Sequence, residues 1–367
     1  MSALKALEDQ VVVLTGASSG IGLATARRLA RRRARLVLAA RNEAALDDLV
    51  REIEERGGQA LAVPTDVGDR EAVAALRRRA VERFGRIDTW INDAGVAIYG
   101  AATDVPWEDH RRLFDTNYWG IVAGSLEAVA QFRAQREAGA PSAGKLVNVG
   151  SVLSDRSMIF QGPYSASKHA VKGWTDALRM ELAEAGEPVS VTLVKPSAID
   201  TTYMEHARTY MDAEGTRNPP PSYDPDLVAD AIEHACEHDA RDLTIGAGGW
   251  IVGKMGQIAP ALTDAAMRAA GRFLQTSNVP ARPGLRDNLH APRRDGLERS
   301  AMPNLVPGFG TRRTSLFLEM QKHPAATFAI GTALTLALLA ATSGGGRARL
   351  PRRRRAPPRL PAPYVVT

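Results

Sequence analysis

Residues 11–40 hold the feature that most narrows the choice of fold. A short β-branched run, residues 11–14, ends in Thr15-Gly16-Ala17-Ser18-Ser19-Gly20-Ile21-Gly22. A helix-compatible stretch follows at 23–33, and a second apolar run at 36–40. Strand, Gly-rich turn and helix together place a phosphate at a helix N-terminus. Gly16 permits the tight turn, and Gly20 and Gly22 let the backbone approach a pyrophosphate. An ordinary βα turn is the other reading, and the second strand at βαβ distance weighs against it.

The second strand ends Ala39-Ala40-Arg41-Asn42. Many NAD-binding folds carry an acid here for the ribose 2′-hydroxyl. An Arg can instead pair with a 2′-phosphate, so Arg41 points to NADP, with NAD as the alternative cofactor. A solvated strand-end charge is the competing reading of Arg41.

The alternation continues down the chain. A helix at 43–56 closes at Gly57-Gly58, and a strand at 60–63 precedes Asp66-Val67. A helix at 70–84 stops at Gly85, and a strand at 87–91 runs into Asn92-Asp93-Ala94-Gly95. Residues 107–137 read as one long helical region containing Asn117, whose place in a helix is unfavourable unless its amide is used. Strands at 145–150, 189–194 and 243–245 complete the pattern. The fold class expected is α/β, a doubly wound parallel sheet with a helical C-terminal extension.

Residues 151–168 read S-V-L-S-D-R-S-M-I-F-Q-G-P-Y-S-A-S-K. Pro163 suits the first turn of a helix. Tyr164 and Lys168, four apart, then share one face. An ammonium beside a phenol favours the phenolate, so the Tyr164 pKa is expected to fall. Such a phenol passes a proton to or from a substrate oxygen. Ser151, at the end of the preceding strand, can hydrogen-bond the same oxygen. Y-x-x-x-K alone is a weak signal and takes its weight from the rest of the chain.

Taken in order, T-G-A-S-S-G-I-G at 15–22, Asp66, N-D-A-G at 92–95, Asn117, Ser151, Y-S-A-S-K at 164–168 and P-S-A-I-D-T at 196–201 resemble the short-chain dehydrogenase/reductase family. The resemblance implies a Rossmann-type fold and a nicotinamide cofactor. It makes Tyr164 the proton donor or acceptor, Lys168 its activator and a ribose ligand, and Ser151 the group that orients the substrate oxygen. It has Asn117 hold a water in a relay with Lys168. The cofactor would run along Thr15, Gly16, Ser18, Ser19, Gly20, Ile21, Gly22 and Arg41. It would meet Asp66 at the adenine, with Val67, Asn92, Ala94 and Gly95, then Tyr164, Lys168, Pro196 and, near the nicotinamide amide, Thr201. Three positions depart from the family's usual pattern: Asp93 in place of a second Asn, Gly150 in place of a Ser, and Ser197 in place of a Gly. None removes a catalytic group.

The implied activity is an NADP(H)-dependent interconversion of an alcohol and a ketone or aldehyde. Apolar loop and extension residues favour a small hydrophobic substrate. The alternatives are a non-catalytic NADP(H) sensor or membrane-complex organiser, and an epimerase or dehydratase on the same fold. All four catalytic positions are filled, which weighs against the sensor.

The divisions expected are a catalytic domain at 1–249, an amphipathic helical extension at 250–276, a Pro/Gly/Arg-rich connector at 277–323, an apolar helix at 324–342 and a basic tail at 343–367. Seven Arg and no acid lie in that tail. Removing them from the 47 basic residues leaves 40 against 41 acidic ones, so the net +6 is a property of the tail. The body gives no hint of nucleic-acid binding. The one cysteine, Cys236, and the lack of a signal pattern at 1–10 point to a reducing, cytoplasmic setting. His234 and His238 lie four apart but are flanked by acids and read as a solvated helix face, with no metal site expected. Residues 325–341 are free of charge. At ~1.5 Å per residue they cover about 26 Å, short of a ~30 Å hydrocarbon core. They are expected to lie on the cytoplasmic face of a membrane, or to pack in a homo-oligomer.

Overall fold

A computed structural model describes residues 4–139, 144–212, 215–277, 287–293, 296–300 and 310–329, with Thr332 and Thr335. The chain divides into two units, Met1–Lys322 and His323–Thr367. The first holds a seven-stranded sheet. Its strands are β1 (Val11–Thr15), β2 (Arg35–Ala40), β3 (Gln59–Pro64), β4 (Thr89–Asn92), β5 (Gly144–Val149), β6 (Val189–Pro196) and β7 (Asp242–Ile245). They pair in parallel in the order β3-β2-β1-β4-β5-β6-β7. The expected doubly wound, Rossmann-type sheet is therefore present. Strand order reverses beside β1, and ligands bind such sheets in the crevice at that point, outside the carboxyl ends.

Side-chain alternation along β1 sorts the core into two layers. Val12 and Leu14 pack with α1 (Gly20–Arg31), α2 (Glu43–Glu55) and α7 (Pro225–Glu237). Val11 and Val13 belong to the opposite layer, with α3 (Arg70–Phe84), α5 (Gly120–Glu137) and α6 (Gly162–Glu184). Local signals set the helix ends. Asn42 caps α2 by accepting from Ala45 N at 3.2 Å, Asp69 caps α3 and Asp224 caps α7. Such caps contribute ~1 kcal/mol each. Gly85 closes α3 at φ +76°.

The region read as one long helical stretch at 107–137 is helical throughout, with a change of pitch inside it. α4 (Trp107–Phe114) and α5 are joined by a π-helical turn, Asp115–Trp119, which carries Asn117. Such turns are frequent at functional sites. The segment that follows β6 is pinned at two points. Arg208–Thr209 pairs with Ile98–Tyr99, and Gly215–Thr216 pairs with Thr276–Ser277. The extension forms two helices, α8 (Ala247–Ile258) and α9 (Pro260–Gln275).

The stretch at 277–323 reads from composition as a connector with little core. Its described parts pack on the body instead. Leu289 and Leu318 are fully buried, the latter in α10 (Leu316–Lys322). Isolated leucines without periodicity leave no helical or strand signature to read. In the second unit residues 324–329 are helical. Most of the expected apolar helix at 324–342 and all of the basic tail at 343–367 lie outside the described residues. Among the described residues no helix is long and apolar enough to cross a membrane.

Candidate active site

The carboxyl ends of β1, β4, β5 and β6 open onto one cleft of about 480 Å³. Behind it Thr15 Oγ1 accepts the N–H groups of Asp93 and Ala94 at 3.1 and 3.3 Å. Two glycines of the turn after Thr15 have no room for a Cβ. Gly16 has φ +78°, and a Cβ there would lie 2.8 Å from Ala94 N. A Cβ on Gly22 would lie 2.1 Å from Gly16 O. Ser18, Ser19, Gly20 and Ile21 line the cleft at the N-terminus of α1. A helix N-terminus suits an anion, although here the Gly20 N–H already donates to Leu297 O. The cradle fits a dinucleotide's pyrophosphate. Thr15 and Gly22 shape it from behind and do not line it.

At the end of β2, Arg41 is half-buried. Burial, with Arg112 beside it, lowers its pKa from the usual arginine value. Arg112 comes from α4 and donates to Asp66 Oδ2 at 2.6 Å. Burial alone would raise the Asp66 carboxyl, but Arg112 and the Gly68 N–H hold it below the usual range. Both guanidinium groups also reach residues far along the chain. Arg41 donates to the carbonyls of Asn288 and Leu289, and Arg112 to Leu289 O at 3.1 Å. Leu297 O accepts from Gly20 N at 2.8 Å, and Arg293 O from Asn42 Nδ2 at 2.6 Å. Residues 287–293 and 296–300 thus form an outer wall over the Gly-rich turn. No sequence motif announced that wall or Arg112.

Asn92 faces away from the cleft, where it joins β4 to β5 through Asn148 Oδ1 at 2.9 Å. Ala94, Gly95 and Val67 line the cleft. Asp93 also lines it. Burial pushes its carboxyl up to about 7, although Lys168 draws it back down.

Ser151 follows β5 and caps a short 3₁₀ turn, Val152–Ser154, accepting from Leu153 N at 3.0 Å. Tyr164 and Lys168 share the first turns of α6, with Pro163 at its start. Lys168 is buried and donates to Val149 O at 2.9 Å. Burial draws its ammonium down to about 8, with Asp93 pushing it back up. Its Nζ lies 5.7 Å from the centre of the Tyr164 ring. The expected fall in the Tyr164 pKa does not occur. Burial raises it, and the Tyr203 and Ser151 hydroxyls offset only part of that rise. The i,i+4 spacing does put the two residues on one face, but the ammonium is bonded to Val149 O.

Asn117 is fully buried with its amide in use. Oδ1 accepts from Val96 N at 2.8 Å, and Nδ2 donates to Val96 O and Ser167 Oγ at 3.0 and 3.2 Å. It ties the segment after Gly95 to α6. Pro196 and Thr201 line the cleft, and the Thr201 side chain lies against Gly20. Beyond them the wall turns apolar, with Val152, Leu153 and Met158, Val252 of α8, and Met267 and Leu274 of α9. The extension therefore closes the far end of the cleft.

A nicotinamide-dinucleotide cradle at the switch point of a parallel sheet, followed by a Ser–Tyr–Lys constellation, defines a class of dinucleotide-dependent oxidoreductases. Residues 10–212 match the short chain dehydrogenase family model. An uncharacterized oxidoreductase of Bacillus subtilis, YxnA, is 45% identical over 76% of this chain and 77% of its own. A putative oxidoreductase of Mycobacterium tuberculosis, SadH, is 32% identical over 68% of this chain and 88% of its own. A short-chain dehydrogenase/reductase from Burkholderia phymatum, solved with NAD, superposes with TM-score 0.63 at 26% identity, covering 71% of this chain and 96% of that one. A 3-ketoacyl-(acyl-carrier-protein) reductase from Brucella melitensis, solved with NADH, gives 0.56 at 26% identity over 66% and 99%. The chain belongs to the short-chain dehydrogenase/reductase family and is an NAD(P)-dependent oxidoreductase.

Proposed function

We propose that the protein interconverts a hydrophobic alcohol and its ketone or aldehyde with NADP(H). The observation that carries this reading is that Ser151, Tyr164 and Lys168 line one cleft together with the glycine-rich turn and a set of apolar side chains. When bound, the nicotinamide supplies or accepts the hydride. The chain's own residues manage the oxygen. Ser151 donates a hydrogen bond to it. Tyr164 gives it a proton in reduction and takes one in oxidation. Lys168 fixes the wall at Val149 and places a positive charge near the reacting phenol. Asn117 holds the Val96 backbone and α6 in register.

The preference for NADP over NAD rests on Arg41 and Arg112. Asp66 is the acid paired with Arg112, and Arg41 is bonded to neutral carbonyls. Asp66 acts on Arg41 only through its charge, and a 2′-phosphate would give Arg41 a counter-charge it can hydrogen-bond. The apolar wall from Val152 to Leu274 supports a hydrophobic substrate. Exposed Trp107, Trp119 and Leu126 on α4, the π turn and α5 support a homo-oligomer. Membrane contact through 325–341 stays a proposal that rests on sequence alone.

The test is a panel of ketones and aldehydes, from short aliphatic to bulky aromatic and long-chain, followed by NADPH absorbance. Turnover rising with apolar size, and slower with NADH, is the expected result. No NADPH oxidation across the panel would contradict it.

A further inference from the structure

Tyr203 stands outside every motif quoted above. It opens a single helical turn, Tyr203–His206, on the loop after β6. Its backbone N–H donates to Thr201 Oγ1 at 3.3 Å. The ring lies edge-on to Tyr164, with centroids 5.6 Å apart and planes at 72°. On its other side it meets Tyr99 edge-on at 6.4 Å. Tyr99 has an acceptor of its own, Met204 Sδ at 3.2 Å. The Tyr203 oxygen is shut off from solvent and meets no partner in hydrogen-bond geometry among the described residues. The polar groups close enough to act on it are the Tyr164 and Tyr99 phenols.

A buried hydroxyl is rarely left without a partner. This one is also a fixed donor. Burial and the two neighbouring phenols hold its ionisation far above the usual phenol range, so it keeps its proton. Tyr164, in contrast, must lose and regain a proton in each cycle. Its oxygen becomes a strong acceptor once ionised. The ammonium of Lys168 is engaged with Val149 O.

We propose that Tyr203 is a positioning residue for the proton transfer, its hydroxyl donating to Tyr164 Oη whenever Tyr164 is ionised. This rests on the reading of Tyr164 as the proton carrier. In carbonyl reduction the Tyr164 O–H bond breaks, its proton goes to the substrate oxygen, and the phenolate left behind accepts from Tyr203. In alcohol oxidation the phenolate takes the substrate's proton and the bond to Tyr203 relaxes. The Tyr203 O–H bond stays intact throughout. Other titratable groups near the pair are Asp93 and Lys168 on the cleft floor, Tyr99 behind Tyr203, and His206 on the same helical turn.

The experiment titrates Tyr164 directly. Full-length protein carrying ¹³C at tyrosine Cζ is saturated with NADP⁺, and the Tyr164 resonance is assigned by its absence in Tyr164→Phe. Tyr203→Phe keeps the ring and its edge contacts. It should raise the Tyr164 midpoint by about one pH unit, the worth of a lost hydrogen bond to a charged oxygen. Ser151→Ala, which removes the other donor, should raise it comparably. Tyr99→Phe should leave it in place. Should Tyr203→Phe fail to fold, Tyr203→Leu carries the same expectation. An unmoved midpoint in the Tyr203 variant, or an equal rise in Tyr99→Phe, overturns the proposal. The titration needs no substrate, so the two readings separate. Undiminished ketone turnover by Tyr164→Phe overturns both. An inactive Tyr164→Phe with an unmoved midpoint in Tyr203→Phe overturns only the role of Tyr203.

Discussion

The two ends of the cleft are built in different ways. The cofactor end is mostly backbone, with a turn of three glycines, the N-terminus of α1 and the ends of neighbouring strands within residues 11–95, over which Arg112 and the wall from 287–293 and 296–300 are laid. The substrate end is mostly side chain. It gathers Ser151, Tyr164, Tyr203, Val252 and Leu274 from segments spread over more than a hundred residues. A backbone cradle recognises what every dinucleotide shares. A side-chain wall sets which oxygen is protonated and which carbon skeleton fits. The two ends should therefore fail separately.

Tyr164→Phe gives the largest separation. It should lower kcat by about 10²–10⁴-fold, the usual worth of a proton-transfer group, while the NADPH dissociation constant by fluorescence titration stays within about threefold. Loss of both together would mean that the ends are not independent.

Leu289→Ala probes the outer wall of the cofactor end. The side chain is fully buried among Val96, Ile98, Val105 and Leu113. Its removal should cost about 2–4 kcal/mol in urea unfolding. Because the Leu289 carbonyl accepts from Arg41 and Arg112, NADPH affinity should fall as well. Stability within 0.5 kcal/mol of wild type, itself about the size of a surface effect, would show that residues 287–293 merely rest on the body.

Arg41→Ala should weaken NADPH by about ten- to a hundredfold, as expected for a lost charge-assisted pair of roughly 1.5–3 kcal/mol, and leave NADH nearly unchanged. Equal wild-type dissociation constants for the two cofactors would rule out the 2′-phosphate reading.

Asp93→Asn sits where the ends meet and should have the smallest effect. Burial raises the folded-state pKa of Asp93 to about 7, above the unfolded value near 4. Between those values the folded state holds a proton that the unfolded state has released. Stability from this group is thus present below the unfolded value and lost as pH rises to about 7. Asn carries no such dependence. The variant should gain about 1–2 kcal/mol relative to wild type on going from pH 4 to pH 8, a discount for the cleft's solvent access included. Parallel pH profiles in thermal melts would contradict the burial of that carboxylate.

Much of the cofactor end was legible because its signals are local. Strand, glycine turn, helix and Arg41 follow one another within about thirty residues. The same locality placed Ser151, Tyr164 and Lys168. Direction was not legible. Spacing puts Lys168 on the face of Tyr164 but shows neither the burial that raises the Tyr164 pKa nor the bond of the ammonium to Val149 O, so the expected fall was wrong in sign. Asn117 was singled out because a helical Asn needs a use for its amide, yet that use is the Val96 backbone and Ser167. Partners brought together by tertiary packing alone, such as Arg112 with Asp66, Leu289 with Arg41 and Tyr203 with Tyr164, leave no mark on spacing. The wall at 287–293 and 296–300 was hidden by composition, since Pro, Gly and Arg resemble a connector and one buried leucine anchors it.

Carbonyl reduction with deuterated NADPH is the most direct measurement of the central claim. The full-length protein is given NADPH bearing deuterium at the transferable position, and each alcohol formed from the ketone panel is analysed by mass. One deuterium on the carbinol carbon, with NADPH consumed in equal amount and product formation abolished in Tyr164→Phe, is the result predicted. An alcohol without label, or labelled product formed at the wild-type rate by Tyr164→Phe, would contradict it.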